Sequence, residues 1–186
     1  MEHARKAGFP VPEVRDATGP DMVVARVAGR TMSDDLGRRP WRLSAHAKLL
    51  GDLHRRLHAI AAPTSLRAQL GDVDALLHLD LHPGNVLVST DGPWVIDWAN
   101  AARGPAAADV AMTFVILGAV PRASSPLGAI VDLLRRRFAV EFLSAAGSDG
   151  VREALPAAAD RRLADANLRP DERRAVEAFA RRMRAR

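Results

Sequence analysis

The sequence HLDLHPGNVLV at residues 78–88, followed by VIDW at residues 95–98, carries the strongest structural signal in the chain. Short apolar runs at residues 76–79, 86–89 and 94–96 flank its polar positions and predict strands. The polar side chains therefore lie on loops between apolar strands. Catalytic groups usually sit on loops that a rigid scaffold holds in place.

Three side chains of these loops, Asp80, Asn85 and Asp97, form a candidate site for chemistry on a phosphate. Mg2+ prefers oxygen ligands, which Asn85 and Asp97 can supply while phosphate oxygens and water complete the shell. Asp80 then remains free to accept a proton. Kinase-type phosphoryl transfer needs both roles, because a base orients the attacking hydroxyl while an amide and a carboxylate hold the metal.

The spacing of these residues resembles one known family. The pattern His-x-Asp-x-His-x-x-Asn, followed by a hydrophobic-Asp pair, is met by His78, Asp80, His82, Asn85 and Asp97. With it the chain resembles the aminoglycoside phosphotransferase and choline kinase-like family, a branch of the protein-kinase fold. That family usually has glycine where Leu79 stands. Weaker matches extend the resemblance over about residues 1–120, at residues 11–12, 27–29, 53–54, 57–58, 104–105 and 109–111.

The resemblance assigns roles to the loop residues. It implies that Asp80 is the catalytic base and that Asn85 and Asp97 are the magnesium ligands. His82 occupies a position where protein kinases acting on serine and threonine carry a phosphate-contacting lysine. It either contacts phosphate in the same way or braces the loop through a hydrogen bond.

Four further residues receive structural expectations. The family histidine that corresponds to His78 braces the loop backbone. Asp109 resembles a buried carboxylate that holds the catalytic loop, although a residue at the start of an apolar helix can also be an N-cap. His54 and His58 are expected in the core or on a helix surface.

The resemblance also implies ATP and Mg2+ as cofactors. Backbone groups from Ala25 to Val27, after the second strand, would pair with adenine. The side chains of Leu87 and Ile96 would form part of the apolar floor beneath the base.

The fold class expected is α+β and protein-kinase-like, with a mostly helical large lobe, short catalytic-loop strands and a remnant of the small β lobe. Residues 1–28 would form the remnant of the small lobe, and residues 29–186 the large lobe. Before the catalytic region, the pattern predicts a helix at 1–7, a strand hairpin at 13–17 and 22–28, and a long amphipathic helix at 41–60. After it, helices are predicted at 109–117, 127–143, 150–166 and 170–184.

Parts of a complete kinase are missing from this sequence. It contains no Gly-x-Gly-x-x-Gly motif, and its only lysines, Lys6 and Lys48, lie in predicted helices rather than on a strand. The chain is interpreted either as N-terminally shortened or as a natural variant that lost most of the small lobe. The start at Met1 inside a helix without a cap favours shortening. In both cases nucleotide clamping is weakened, so the activity of the chain is expected to be impaired.

Composition and charge distribution argue against a nucleic-acid-binding protein and against a membrane protein. The net charge of +5 comes from residues 135–186, which carry 13 basic and 8 acidic side chains against 14 of each in residues 1–134. Because this segment offers only Phe138, Phe142 and Phe179, at helical spacing, and no reading motif, the excess is interpreted as solvated helix faces and no nucleic-acid partner is expected. The apolar stretch at 110–120 is too short to span a bilayer, and no signal peptide is visible. Without cysteine, a soluble cytoplasmic protein with no membrane partner is expected.

Three functions compete at this stage. The first is ATP-dependent transfer of the terminal phosphoryl group to a hydroxyl of a small-molecule acceptor. The basic helices after residue 120 disfavour a polycationic aminoglycoside as that acceptor. The second is a non-catalytic kinase-like remnant that acts as a binding module. The third is a metal-dependent hydrolase with His78, Asp80 and His82 on one side of a strand. The sequence carries no signal for the oligomeric state.

Overall fold

Helices dominate the computed structural model, which describes residues 1–18, 21–68, 75–120 and 125–184. The helices are α1 (Glu2–Lys6), α2 (Met32–Arg38), α3 (Leu43–His58), α4 (Ala106–Gly118), α5 (Pro126–Ala146), α6 (Val151–Leu163) and α7 (Pro170–Arg184). The strands are β1 (Val14–Asp16), β2 (Val23–Val24), β3 (Arg30–Thr31), β4 (Ala75–Leu77), β5 (Val86–Ser89), β6 (Gly92–Val95) and β7 (Ala102–Gly104). This mixture of helices and small sheets confirms the α+β fold class. The division into lobes at residue 28 stays a prediction.

The strands form small antiparallel sheets in the described part of the chain. β1 pairs with β2, β4 pairs with β7, and β5 lies between β3 and β6. The register of the β5–β6 hairpin places Val86 opposite Val95 and Leu87 opposite Trp94. This hairpin positions the candidate site, because the loop at residues 78–85 leads into it and Asp97 follows it.

The early hairpin is confirmed, but its second strand is shorter than predicted. β2 covers only Val23–Val24, where the sequence predicted a strand at 22–28. Met22 and Val23 are 50% and 53% exposed, so β2 has no apolar layer to pack against. An isolated two-stranded hairpin is only marginally stable unless one face packs against other elements. The rest of the predicted strand is therefore irregular.

The core forms where α3 packs against α5 and α4 packs against α6. The long amphipathic helix is confirmed at Leu43–His58, and a 3-10 turn at Pro40–Arg42 precedes it. Its buried apolar side chains recur at helical spacing: Leu43, Ala47, Leu50, Leu53 and Leu57. Leu81, Val86 and Val95 belong to the same core, so the loop at residues 78–85 and the β5–β6 hairpin are anchored to it. No helix within the described ranges is long and apolar enough to cross a membrane.

Gly51 allows the close approach of α3 and α5. A Cβ added at Gly51 would lie 2.5 Å from the Cβ of Ala145 and 2.7 Å from the backbone nitrogen of Ala146. We expect Gly51→Ala to lower the free energy of unfolding by about 1–3 kcal/mol, because the helices must move apart. Urea denaturation measures the change.

Gly37→Ala is the matched control. Gly37 is exposed in α2, and an added Cβ would meet nothing within 4 Å. The change should raise the free energy of unfolding by about 0.5–1 kcal/mol, because alanine is the better helix former. If Gly51→Ala leaves the free energy of unfolding unchanged, or raises it as Gly37→Ala should, the close contact of α3 and α5 does not limit the size of residue 51.

Candidate active site

The catalytic loop, residues 78–85, joins β4 to β5 and contains a left-handed turn. Leu79 has φ = +61°, a conformation that glycine adopts readily and a leucine adopts at a cost of about 1–2 kcal/mol. This explains why glycine is the usual residue at this position in the family that the sequence resembles. The Leu79 side chain is only 4% exposed and packs with Leu77 and Ala102, which offsets the backbone cost.

The buried side chain of Asp109 stabilises this turn through hydrogen bonds. Its carboxylate accepts hydrogen bonds from the backbone N–H groups of His78, at 3.0 Å, and Leu79, at 2.7 Å. It also accepts one from Nε2 of His58 at 3.0 Å. Burial opposes the ionised form, but the His58 hydrogen bond and the nearby histidine charges hold the pKa of Asp109 below its usual range. The carboxylate is therefore a buried acceptor of three donors.

The structure decides between the two expectations for Asp109. α4 begins at Ala106, three residues before the predicted start, and Pro105 is its N-cap residue. Asp109 therefore lies inside the helix, and the N-cap alternative is wrong. The alternative role, a buried carboxylate under the loop, matches the observed hydrogen bonds.

His54 connects the long helix α3 to the loop. Its Nδ1–H donates to the Leu50 carbonyl at 2.9 Å, and Nε2 lies 3.0 Å from Oγ1 of Thr113. The Thr113 hydroxyl donates to the carbonyl of Leu81 at 2.7 Å. The core position expected for His54 is confirmed, because its side chain is fully buried.

The burial of His54 makes stability depend on pH. Burial lowers its pKa to about 4, whereas an unfolded histidine titrates near 6.5. Between these values the unfolded chain binds a proton that the folded chain does not. We therefore expect the free energy of unfolding to fall by about 3 kcal/mol as the pH drops from about 6.5 to about 4.

Denaturant titrations of wild type and His54→Asn at pH 7 and pH 4 measure this contribution. Between pH 7 and pH 4, the free energy of unfolding should decrease by about 3 kcal/mol less in His54→Asn than in wild type. His3→Asn is the control, because His3 is exposed on α1. An unchanged pH dependence in His54→Asn would contradict the assignment.

Asp80 and Asn85 meet within the loop. The Asn85 amide donates from Nδ2 to the backbone carbonyl of Asp80 at 2.9 Å and to its Oδ2 at 3.0 Å. The hydrogen bond from Asn85 orients the Asp80 carboxylate. The Asp80 side chain is also 18% exposed, so solvent can reach it. Oδ1 of Asn85 accepts no hydrogen bond from the described residues.

His82 braces the loop. Its Nδ1 accepts a hydrogen bond from the Gly84 N–H at 3.1 Å, so the neutral ring carries its proton on Nε2, 3.7 Å from Oδ1 of Asp80. Burial lowers the pKa of His82, with the charge of Asp80 acting in the opposite direction. The ring covers Gly84, where an added Cβ would lie 2.6 Å from the His82 Cε1. The structure thus shows the loop-bracing hydrogen bond, one of the two alternatives for His82.

His78 braces the loop on its other side, as expected. Its Nε2–H donates to the carbonyl of Ile96 at 3.1 Å, and its ring lies 4.8 Å from the ring of Trp98. Burial lowers its pKa, which keeps the imidazole neutral. The other ring nitrogen, Nδ1, is buried without a partner in the structure. His78 therefore ties the catalytic loop to the segment that presents Asp97.

The metal-triplet arrangement of His78, Asp80 and His82 is not present. β4 ends at Leu77, and the left-handed turn at Leu79 breaks the alternation that would place the three on one face. Within the described ranges no group of three His, Cys, Asp or Glu side chains is arranged to hold a metal ion. This geometry argues against the hydrolase interpretation.

Asp97 lies two residues after β6. It has φ = +61°, which aspartate tolerates better than most residues, and its side chain is exposed. The Ile96 N–H donates to the Asn85 carbonyl at 3.0 Å, so the residue before Asp97 is joined to the backbone of Asn85. The charge of Asp97 acts on both His78 and His82. An exposed carboxylate and a free amide oxygen are hard donors that fit Mg2+.

The residues expected around adenine lie on two segments. Ala25 and Val27 are half-buried, and the chain that follows them approaches β5, where a Cβ at Gly29 would lie 2.8 Å from the Val88 carbonyl oxygen. The Ala25 N–H donates to the Glu13 carbonyl at 2.7 Å. The Ala25 carbonyl and the Val27 N–H make no backbone hydrogen bond with the described residues. Leu87 and Ile96 are both half-buried, on β5 and just after β6.

Sequence reasoning missed the residues that act on the loop from a distance. These are the hydrogen bond from Thr113 to the Leu81 carbonyl and the one from His58 to Asp109, which depend on packing between residues far apart in sequence. No local pattern marks them.

Loops flanking a β-hairpin present Asp80, Asn85 and Asp97, which is the arrangement expected of a kinase-like phosphotransferase. Comparison with known families agrees: the model of the phosphotransferase enzyme family, APH, matches residues 64–179, and the chain belongs to that family. This confirms the resemblance drawn from residues 78–98.

A solved structure shares the fold. The chain is similar to a choline/ethanolamine kinase family protein from Mesorhizobium loti, with a TM-score of 0.57 and 16% sequence identity. The alignment covers 99% of this chain and 75% of that one. No match was found among curated proteins.

Proposed function

We propose that this chain transfers the terminal phosphoryl group of ATP to a hydroxyl of a small molecule, with Asp80 as the base. One observation carries the proposal: the Asp80 carboxylate is fixed by Asn85 at 3.0 Å and is still 18% exposed. The loop beneath it is held by the buried carboxylate of Asp109. Membership in a phosphotransferase family supports the reaction class.

Asp80 positions the acceptor. Its exposed carboxylate accepts a hydrogen bond from the acceptor hydroxyl, and takes the proton as the hydroxyl oxygen bonds to the terminal phosphorus. The bond from that phosphorus to the bridging oxygen breaks, and ADP leaves with the electron pair. Because Asn85 already occupies Oδ2, Oδ1 is the oxygen left for the acceptor.

Asn85 and Asp97 are the residues that would hold magnesium, through Oδ1 of the amide and the exposed carboxylate. Bound Mg-ATP supplies the phosphoryl group, and the ion neutralises negative charge on the phosphates. His82 offers the N–H of Nε2 beside Asp80, where it can donate to a phosphate oxygen. These four side chains share one loop and the end of one hairpin.

The adenine would lie between two segments. The Ala25 carbonyl and the Val27 N–H supply one acceptor and one donor for the base. Leu87 and Ile96 contribute apolar surface on the β5–β6 hairpin. Backbone contacts of this kind restrict the base without any charged side chain.

A second candidate function is a nucleotide-binding or partner-binding module without turnover. It is favoured by the position of both lysines, since Lys6 is exposed on α1 and Lys48 is exposed on α3. Neither lies on a strand, where a kinase lysine pairs with the phosphates. This sequence thus lacks one contribution to charge stabilisation during transfer.

An ADP-release assay over a panel of hydroxyl acceptors tests the proposal. ADP should form only with both Mg2+ and an acceptor, and Asp97→Asn should lower kcat/KM by about 100-fold or more, because a charged metal ligand is lost. Asparagine tolerates the left-handed backbone at this position. Asp91→Asn, in the exposed hairpin turn, is the matched control and should keep full activity.

The outcomes separate the candidates. ADP formation that is unchanged in Asp97→Asn would contradict the site. Nucleotide binding without ADP formation for any acceptor would contradict the transferase and favour the binding module.

A further inference from the structure

A cavity of about 1090 Å³ opens between α2, the end of β5 and the chain that leads into β3. Asp80, Asn85 and Asp97 are not in its lining, and neither are the residues expected around adenine. The cavity is therefore separate from the proposed active site, and we name it the arginine cavity. Its charged lining residues are Arg30, Asp34, Asp35, Arg38, Arg39 and Arg42.

The lining of the arginine cavity carries an excess of positive charge. Its four arginines face two aspartates, which leaves an excess of two charges. A concave surface that carries charge of one sign concentrates counter-ions. Pockets that bind small molecules have volumes of about 300–1,000 Å³, so the cavity has room for an anion much larger than an inorganic ion.

Asp35 orients two of these arginines. Its side chain is only 3% exposed, with Oδ1 3.5 Å from Nη1 of Arg39 and Oδ2 3.4 Å from Nη1 of Arg42. Oδ2 also lies 2.8 Å from Nε2 of His46, which fixes the carboxylate against α3. The two arginine side chains are still 45% and 44% exposed. Because a guanidinium has five N–H donors, both are held in place and keep donors for a ligand.

Arg30 and Arg38 are the uncompensated cations of the cavity. Arg30 is exposed on β3, opposite Val88 of β5, and Arg38 is exposed at the end of α2. In the described part of the chain, neither side chain takes part in a hydrogen bond or an ion pair. The cavity therefore offers guanidinium groups from β3, from α2 and from the turn before α3 to one ligand.

We propose that the arginine cavity binds a phosphorylated small molecule, at a site separate from the active site. Guanidinium groups bind phosphate oxygens through paired, charge-assisted hydrogen bonds. A phosphate monoester carries about 1.5 to 2 negative charges at pH 7, which matches the excess of two charges in the lining, whereas a carboxylate carries one. Ala28, Ser33 and Val88 also line the cavity, so the body of the ligand meets apolar and hydroxyl-bearing residues.

Isothermal titration calorimetry with matched probes tests the ligand class, in EDTA and without nucleotide. The esters are glycerol 3-phosphate, glucose 6-phosphate and phenyl phosphate, and the controls are glycerol, glucose, phenol and inorganic phosphate. At least one ester should bind about 100-fold tighter than its unphosphorylated parent, because charge-assisted hydrogen bonds are added. It should also bind about tenfold tighter than inorganic phosphate, because its body buries further surface.

Three results would overturn the ligand class. They are no detectable binding of any ester, binding of the parents as tight as that of the esters, and binding of inorganic phosphate as tight as that of the best ester. The last result would reduce the cavity to a site for a free ion.

Variants locate the binding. The double variant Arg30→Gln, Arg38→Gln should weaken binding of the best ester by about tenfold or more, because charge-assisted hydrogen bonds are lost. Both side chains are exposed and unpaired, so the fold should be kept, which circular dichroism checks. The matched control, Arg5→Gln, Arg181→Gln, removes the same net charge from exposed positions of α1 and α7 and should keep the affinity. An unchanged affinity in the first variant, or an equal loss in the control, would contradict the site.

Asp97→Asn separates the arginine cavity from the active site. Removing a negative charge close to a bound anion changes its affinity, so an ester in the active site would respond to this substitution. An ester in the arginine cavity should bind Asp97→Asn and wild type within about twofold of each other, because Asp97 is not in the lining. A change of about fivefold or more would place the ester at the active site. None of these titrations requires turnover, so failure of the transferase leaves the cavity site standing.

Discussion

Asp80→Asn is expected to lower kcat by about 10²–10⁴-fold, the usual contribution of a positioned general base. The amide is nearly isosteric and its oxygen can still accept the Asn85 hydrogen bond that now reaches Oδ2 at 3.0 Å. The loop should therefore keep its shape. What is lost is the negative charge that accepts the proton of the attacking hydroxyl, so KM should change little.

Steady-state kinetics with the best acceptor of the panel measures this effect. Asp34→Asn is the matched control, because Asp34 is an exposed aspartate in the first turn of α2. Its kcat should equal that of wild type. Thermal melting of both variants should agree with wild type within a few degrees, which separates a catalytic effect from unfolding. Equal kcat for wild type and Asp80→Asn would remove Asp80 from the mechanism.

Asp109→Ala should lower the free energy of unfolding by about 3–5 kcal/mol. The carboxylate is 0% exposed and accepts donors from His78, Leu79 and His58. Removing it leaves buried N–H groups unpaired and a cavity beneath a left-handed turn. Urea denaturation at pH 7 measures the loss.

Asp109→Asn keeps the test decisive if the alanine variant does not fold. The amide retains one oxygen acceptor, so the loss should be smaller, about 1–3 kcal/mol. Asp52→Ala, in an exposed ion pair of α3, should change stability by less than about 1 kcal/mol.

The pH dependence gives a further check on Asp109. Its pKa lies below the usual range in the folded state, so its contribution is complete above an unfolded value near 3.9 and decreases as the pH falls below it. The difference between wild type and Asp109→Asn should therefore shrink below about pH 4. A difference that grows in acid would contradict the ionised, hydrogen-bonded carboxylate.

Local sequence patterns were sufficient to predict much of the fold and the residues of the proposed active site. Apolar runs around residues 78–98 predicted the strands that present the loops, and helical spacing predicted α3, α5 and α7. Asp80, Asn85 and Asp97 could be predicted as site residues because their expected roles depend on a short spacing within one loop and one hairpin.

Long-range pairing explains what the sequence did not predict. β7 consists of Ala102, Arg103 and Gly104, which have no strand pattern, and it forms because β4 offers a partner. β3 likewise depends on β5.

A phosphorus NMR time course of wild type with Mg-ATP and a hydroxyl acceptor tests the central claim most directly. The transferase predicts equal amounts of ADP and of a new phosphomonoester, with both signals absent in Asp80→Asn. ADP accompanied only by inorganic phosphate, or no change in ATP with any acceptor, would contradict it.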